Sequence, residues 1–177
     1  MRLVLLVSGP PAAGKTTLAR ALAKRLDLPL ISKDDLKETI FDAMGGPAGD
    51  LAWSRRIGAA AMEVLWLVAA QCPEVILEAN FRPGSAIEQE HLRRLDARFV
   101  EVRCRCSDAE IIRRYAERAR TAHPAHALTT LAASSLDEYR QPVGIGPLVE
   151  VDTSGPVDLD DLTTRLTALL GRPSFAR

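Results

Sequence analysis

The chain has 177 residues, enough for one domain with a core of its own. Apolar residues make up 47% and charged residues 26%, which excludes wholesale disorder. Lysine and arginine number 23, as do aspartate and glutamate, so a general nucleic-acid binder held by neutralised phosphates is not expected.

Residues 3–7 form a continuous apolar run that reads as a buried strand. The run is too short for the centre of a secretory signal, and no run approaches the ~18 residues of a membrane span. Cys72, Cys104 and Cys106 are too few and too odd for a disulfide framework. Together these features predict a cytoplasmic protein without a membrane partner. Leu18, Leu22 and Leu26 recur every four residues and predict a helix over 15–26. A second strand follows at 28–31. Leu36, Ile40 and Phe41 mark a helix that stops at Gly45-Gly46-Pro47. Ile57, Ala61, Leu65 and Val68 mark a long helix over 54–70, and a third strand lies at 75–77. Ser85-x-x-Glu88 and Ser107-x-x-Glu110 both read as capping boxes. They open helices carrying Leu92 and Leu95, and Ile111, Ile112 and Tyr115; a fourth strand at 99–102 lies between them. A fifth strand at 148–151 precedes a last helix with Leu159, Leu162, Leu166 and Leu169. This alternation predicts an α/β fold, a parallel sheet with helices on both faces. Ligands of such sheets bind beyond the carboxyl ends of the strands.

The first strand leads into Gly9-Pro10-Pro11-Ala12-Ala13-Gly14-Lys15-Thr16-Thr17, a match to GxxxxGK[ST]. The glycines permit a turn whose N–H groups point inward at phosphate oxygens, and the helix start adds its positive end. Pro11, Ala12, Ala13 and Thr17 fall within the cradle. Lys15 supplies a mobile cation for the outer phosphates, and Thr16 a hydroxyl for Mg²⁺. A chance match is expected in roughly one chain of this length in two hundred, and the strand and helix around it are the context the motif needs.

With this loop the sequence resembles the P-loop small-molecule kinases and phosphotransferases. That group includes shikimate, gluconate and adenylate kinases and the chloramphenicol phosphotransferase and zeta-toxin relatives. The resemblance spans nearly the whole chain, and the loop is its most specific part. It implies a three-layer α/β/α P-loop NTPase fold whose five-stranded parallel sheet runs 2-3-1-4-5. It also implies a single kinase domain over 1–177 with a short helical lid at about 113–130. ATP or GTP with Mg²⁺, and a hydroxyl of a small molecule, are the implied ligands.

In the resembled families an acid just past the second strand accepts the proton of the acceptor hydroxyl, and a basic neighbour holds the substrate. Asp34 and Lys37 match that spacing. The chemistry requires such a group, since a hydroxyl attacks phosphorus poorly unless a carboxylate orients it. Asp35 fits a capping role through Ser32-x-x-Asp35 or Asp35-x-x-Glu38. Glu78 ends the third strand at the Walker B position, where an acid serves Mg²⁺ directly or through water. It stands where aspartate is commoner, so Glu78 and Asp35 stay open as alternative bases. Asn80 and Arg82 lie where substrate contacts would fall, and Phe81 between them reads as core.

Six arginines crowd positions 103–120. Arg114 and Arg118 share one helix face, and the resemblance assigns such a pair to the nucleotide and the transferring phosphate. Arg118 is thereby a catalytic candidate beside Lys15 and Asp34. Arg113 or Arg120 is the alternative for this role, and a solvated helix with Asp108, Glu110 and Glu117 as partners is the competing reading. His123-x-x-His126 with Cys104-x-Cys106 has no zinc-site spacing, and the histidines are placed in the lid near substrate. The resemblance places the nucleotide base near Asp152-Thr153-Ser154-Gly155. Residues 41–57, with Trp53, are expected at the acceptor pocket. No NKxD motif exists, which argues against a signalling GTPase. The expected function is transfer of a γ-phosphate to an alcohol, whether of an antibiotic (a resistance factor), a sugar or a nucleoside. A polynucleotide-end kinase and a non-transferring nucleotide-binding regulator are the alternatives.

Overall fold

The computed structural model describes residues 1–171. Its elements are β1 (Arg2–Ser8), α1 (Lys15–Leu26), β2 (Leu30–Ser32), α2 (Lys33–Met44), α3 (Leu51–Ala69), β3 (Glu74–Glu78), α4 (Ala86–Arg94), β4 (Ala97–Arg105), α5 (Asp108–Ala119), a 3₁₀ helix (Ala133–Tyr139), β5 (Leu148–Asp152) and α6 (Leu159–Leu170). The sheet is wholly parallel and runs β2-β3-β1-β4-β5. This is the expected order. No helix among the described residues is long and apolar enough to cross a membrane.

Strand period explains the layers. In β1, Leu3, Leu5 and Val7 join Leu18, Leu22 and Leu26 of α1 and Leu162 and Leu166 of α6 in one core. Val4 and Leu6 point the other way, to a second core with Leu65 and Trp66 of α3 and Leu92 of α4. Phe81 belongs to this second core, packed on Trp66 with ring centroids 5.9 Å apart. With both faces covered, the open ground along the central strand is its carboxyl end.

Several boundaries differ from the sequence expectation, each for a local reason. Helix α3 starts at Leu51 because Asp50 caps it, accepting the Trp53 N–H at 2.8 Å. Both capping boxes are half made. Ser85 and Ser107 accept the expected N–H groups, but Glu88 turns to Arg82, and Glu110 to Arg113 and Arg114. Glu88 accepts both the backbone N–H and the guanidinium of Arg82, and Glu110 accepts two guanidinium groups, in place of the cap N–H. Ser32 makes no side-chain cap at all, because its hydroxyl donates to Glu78 at 2.7 Å. Asp35 is occupied instead by Arg20, at 2.9 Å on the surface.

The α2–α3 turn corrects the placement of Trp53. Gly46 has φ 137°, and a Cβ there would lie 2.0 Å from the indole nitrogen. The indole donates to the Gly45 carbonyl at 3.0 Å, with Arg56 over its ring. Trp53 therefore braces this turn and stays out of the cavities at the carboxyl end of the sheet. The segment expected to form a lid is less helical than the resemblance implies. Helix α5 ends at Ala119, residues 120–132 are irregular, and the 3₁₀ helix follows.

A carboxylate with no solvent exposure fastens the chain's return from that segment. Glu101 of β4 accepts the Ser8 hydroxyl at 2.6 Å and the N–H groups of Val143 and Gly144 at 2.9 and 3.0 Å. Glu101→Ala would leave the Ser8 hydroxyl and the Val143 N–H unpaired inside the protein, with the Gly144 N–H nearer solvent. A loss of about 3 kcal/mol in urea unfolding is expected.

Candidate functional site

Gly9 leaves β1 with φ 130°, and a Cβ there would lie 2.5 Å from the Cys104 carbonyl oxygen. Only glycine permits the loop to turn this close to β4. Ala12 and Gly14 also adopt positive φ, at 59° and 78°. Ala13 is fully buried, and its carbonyl accepts the Thr153 hydroxyl at 2.8 Å. Thr153 thus ties the loop to the end of β5. A cavity of about 220 Å³ opens over the loop, lined by Ala12, Gly14, Lys15, Thr16 and Thr17. Asp34, Glu78, Asn80, Arg114 and Arg118 complete its wall.

Lys15 is buried, and its ammonium donates to the Pro10 carbonyl at 2.7 Å. Burial pushes its pKa down, while Glu78 and Asp34 hold it up. Glu78, at the end of β3, is 3% exposed, and its carboxylate has the Ser32 hydroxyl as its one hydrogen-bond partner among the described residues. Arg114 bonds Glu110 at 2.6 Å and the Thr153 carbonyl at 3.0 Å. Arg118 makes no ion pair among the described residues and lies 5.6 Å from the centroid of the Tyr115 ring.

A second cavity, of about 570 Å³, adjoins the first. The two share Asp34, Asn80 and Arg118. Pro11 lines the larger cavity rather than the phosphate cradle, and Arg82 lines it while paired with Glu88. Asp34 sits in the first turn of α2 with Lys33 at 3.0 Å. Burial pushes its carboxyl up, but Lys33, His126 and Lys15 outweigh burial and bring it down to about 2. The group is therefore a carboxylate at neutral pH. Lys37 lies one turn on. Its ammonium donates to the Ser54 hydroxyl at 2.7 Å, and Ser54 donates to the Ala125 carbonyl at 2.7 Å.

Residues 120–132 roof the larger cavity because they are pinned to α2 and α3. His123 meets Asp42 at 3.0 Å, His126 meets Glu38 at 2.8 Å, and Ala125 fills an apolar niche with Phe41 and Ile57. His126 lines the cavity and His123 does not.

A protein-family model described as an AAA domain matches residues 4–142, which contain the loop, Asp34, Glu78 and both candidate arginines. The chain belongs to this P-loop family. A candidate kinase from Chloroflexus aurantiacus is 34% identical, with TM-score 0.84, covering 94% of this chain and 97% of that one. Shikimate kinase from Acinetobacter baumannii shares 18% identity, with TM-score 0.61 over 97% of this chain and 94% of its own. A gluconokinase from Sinorhizobium meliloti shares 18%, with TM-score 0.55 over 96% and 91%. These last two show the fold alone, that of the P-loop small-molecule kinases. No curated protein sequence matches the chain.

Within this AAA-domain fold the sequence placed the 41–57 region at the pocket without singling out Ser54, and it left Gly58 and two tyrosines unread. Ser54 and Gly58 of α3, Tyr115 of α5 and Tyr139 of the 3₁₀ helix all face the larger cavity. Two of these carried a signal. Ser54 falls on the buried stripe of Ile57, Ala61 and Leu65, where a polar residue needs a partner. Gly58 is a helix-interior glycine, which points to a close approach. The tyrosines carried none.

Proposed function

We propose that this protein transfers the terminal phosphoryl group of ATP or GTP to a hydroxyl of a small molecule. The observation that carries the proposal is the shared wall: Asp34, Asn80 and Arg118 border both the phosphate cradle and the larger cavity. An acceptor held in one cavity and a triphosphate in the other would meet across the Asp34 carboxylate. The kinase fold of the neighbours supports the same reading.

In this scheme the loop amides of Ala12, Gly14 and Thr16, with Lys15, hold the phosphates. Asp34 orients the acceptor hydroxyl and takes its proton at a carboxylate oxygen. Arg114 and Arg118 neutralise charge spreading over the transferring oxygens. Mg²⁺ suits the donors present, since a hard cation that keeps waters and shares phosphate oxygens needs only the Thr16 hydroxyl and the Glu78 carboxylate. Bound with the nucleotide, it would offset phosphate charge. Asn80, Lys37 and Arg82 contact the acceptor.

Incubation with γ-labelled ATP and GTP, Mg²⁺ and a panel of hydroxyl compounds tests the reading. Label on a small acceptor is the expected result. Label released only as inorganic phosphate would overturn transfer, and label on a 5′-hydroxyl oligonucleotide alone would overturn the small-molecule class. Arg118→Ala is expected to lower turnover by roughly 10²–10³ while nucleotide affinity changes by less than about threefold. The split is expected because Arg118 stands at the shared wall, where charge develops during transfer. Steady-state kinetics with equilibrium nucleotide titration reads it directly.

A further inference from the structure

Gly58 sits inside α3, where glycine is a poor helix former and a packing or functional reason is called for. A Cβ at Gly58 would lie 3.8 Å from Lys37 Cε and 3.9 Å from Lys33 Nζ. Two lysines of α2 thus end over a bare stretch of α3 backbone, and all three residues line the larger cavity. Arg55, three residues earlier on α3, lines it too and makes no ion pair among the described residues.

The charges here do not balance. Lys37 is 6% exposed, and one of its three N–H donors goes to Ser54. No carboxylate lies within ion-pair distance of it among the described residues. Lys33 has Asp34, but Asp34 is the group that an acceptor hydroxyl would engage. A buried ammonium without a counter-ion is unfavourable unless a ligand supplies one.

We infer that the acceptor carries an anionic group, a carboxylate or a phosphate, which docks between Lys33 and Lys37 on the bare backbone of Gly58. Lys37 selects its charge, and the missing side chain of Gly58 makes the room. This rests on the phosphotransferase reading only for the naming of the cavity as the acceptor site.

The titration of Lys37 supports the assignment. Burial, with Lys33, brings its pKa down to about 8, against the pull of Asp34 and Glu38. His126 from the roof and Arg55 from α3 also face this part of the cavity. An anion favours the charged lysine, so binding above pH 8 must take up a proton. Affinity then falls by up to about tenfold per pH unit above that point.

The test is calorimetric titration of D-gluconate, D-glucose 6-phosphate and neutral sorbitol into protein saturated with Mg–AMP-PNP. At least one anion is expected to bind at least tenfold more tightly than sorbitol, and the better of the two names a hydroxy acid or a phosphorylated alcohol. Lys37→Met is expected to erase the preference. Gly58→Ala is expected to weaken the anion about tenfold while raising the thermal midpoint, because its methyl meets the empty-state lysines at ordinary contact distance. Equal behaviour of anions and sorbitol, undetectable binding of all three included, would overturn the inference. So would an anion preference untouched by both substitutions. If Mg–AMP-PNP itself does not bind, the phosphotransferase reading fails, and the anion preference is still read in its absence.

Discussion

Lys15→Ala is expected to abolish phosphoryl transfer, by roughly 10³-fold or more, and to weaken nucleotide binding, without destabilising the protein. The two halves of this expectation have one cause. Lys15 is 5% exposed and spends its ammonium on a backbone carbonyl of its own loop, with no carboxylate in ion-pair contact among the described residues. Burial lowers its pKa, so the folded state resists holding the proton that the unfolded chain holds. The unfolded state therefore binds more protons as pH rises toward the ordinary lysine value of 10.5, and stability increases with pH across that window. Alanine removes this penalty, and the pH-dependent gain disappears with it. What alanine also removes is the cation built into the cradle's first helical turn, where the outer phosphates would meet it. Thermal unfolding from pH 7 to 10, beside nucleotide titration and turnover, separates the effects. Unchanged nucleotide affinity and turnover in a folded variant would remove Lys15 from the mechanism.

That pairing of poor stability logic with good chemical logic is also why the loop was legible in the sequence. Gly9 and Gly14 mark backbone that no other residue adopts easily, and Lys15 comes at a fixed step after them, so motif and geometry coincide. Strands β1 and β3 were legible because their interiors are buried on both faces and carry no polar break. Edge strand β5 is exposed at Glu150, and β4 carries both Glu101 and Arg103. Glu101 is the harder case. It interrupts an apolar run, and its partners at Val143 and Gly144 lie 42 and 43 residues away, beyond any periodic pattern. The acceptor side was less readable for the same reason. Ser54, Gly58 and Tyr139 converge only once residues 120–132 fold over α2 and α3, and no local rule specifies that path. Trp53 shows the converse error. An aromatic beside a pocket suggests a platform, yet Gly46 leaves a slot that the indole fills.

Asp34→Asn is expected to cut turnover by roughly 10²–10⁴ and leave nucleotide binding nearly intact. The carboxylate stands where the two cavities meet, while the phosphate loop keeps its own donors. Its pKa of about 2 shapes what it can do. So weak a base does not deprotonate an alcohol in the ground state. It accepts the hydroxyl's hydrogen bond, aims the oxygen at phosphorus, and receives the proton as the bond to phosphorus forms. A loose phosphoryl-transfer transition state asks for little more. The pH dependence takes its sign from the same shift. A carboxyl depressed from 3.8 to about 2 stays ionised throughout the range in which the protein is assayed, so Asp34 contributes no acid limb to turnover above about pH 4. Its contribution to stability is complete above 3.8 and is lost as pH falls through 2. Asp35→Asn supplies the contrast, since Asp35 pairs with Arg20 on the surface and lines neither cavity; its turnover is expected within about twofold of the parent. If Asp34→Asn kept its turnover while Glu78→Gln lost it, the hydroxyl would be oriented by Glu78, and the acceptor would have to reach past Asn80 into the phosphate cavity.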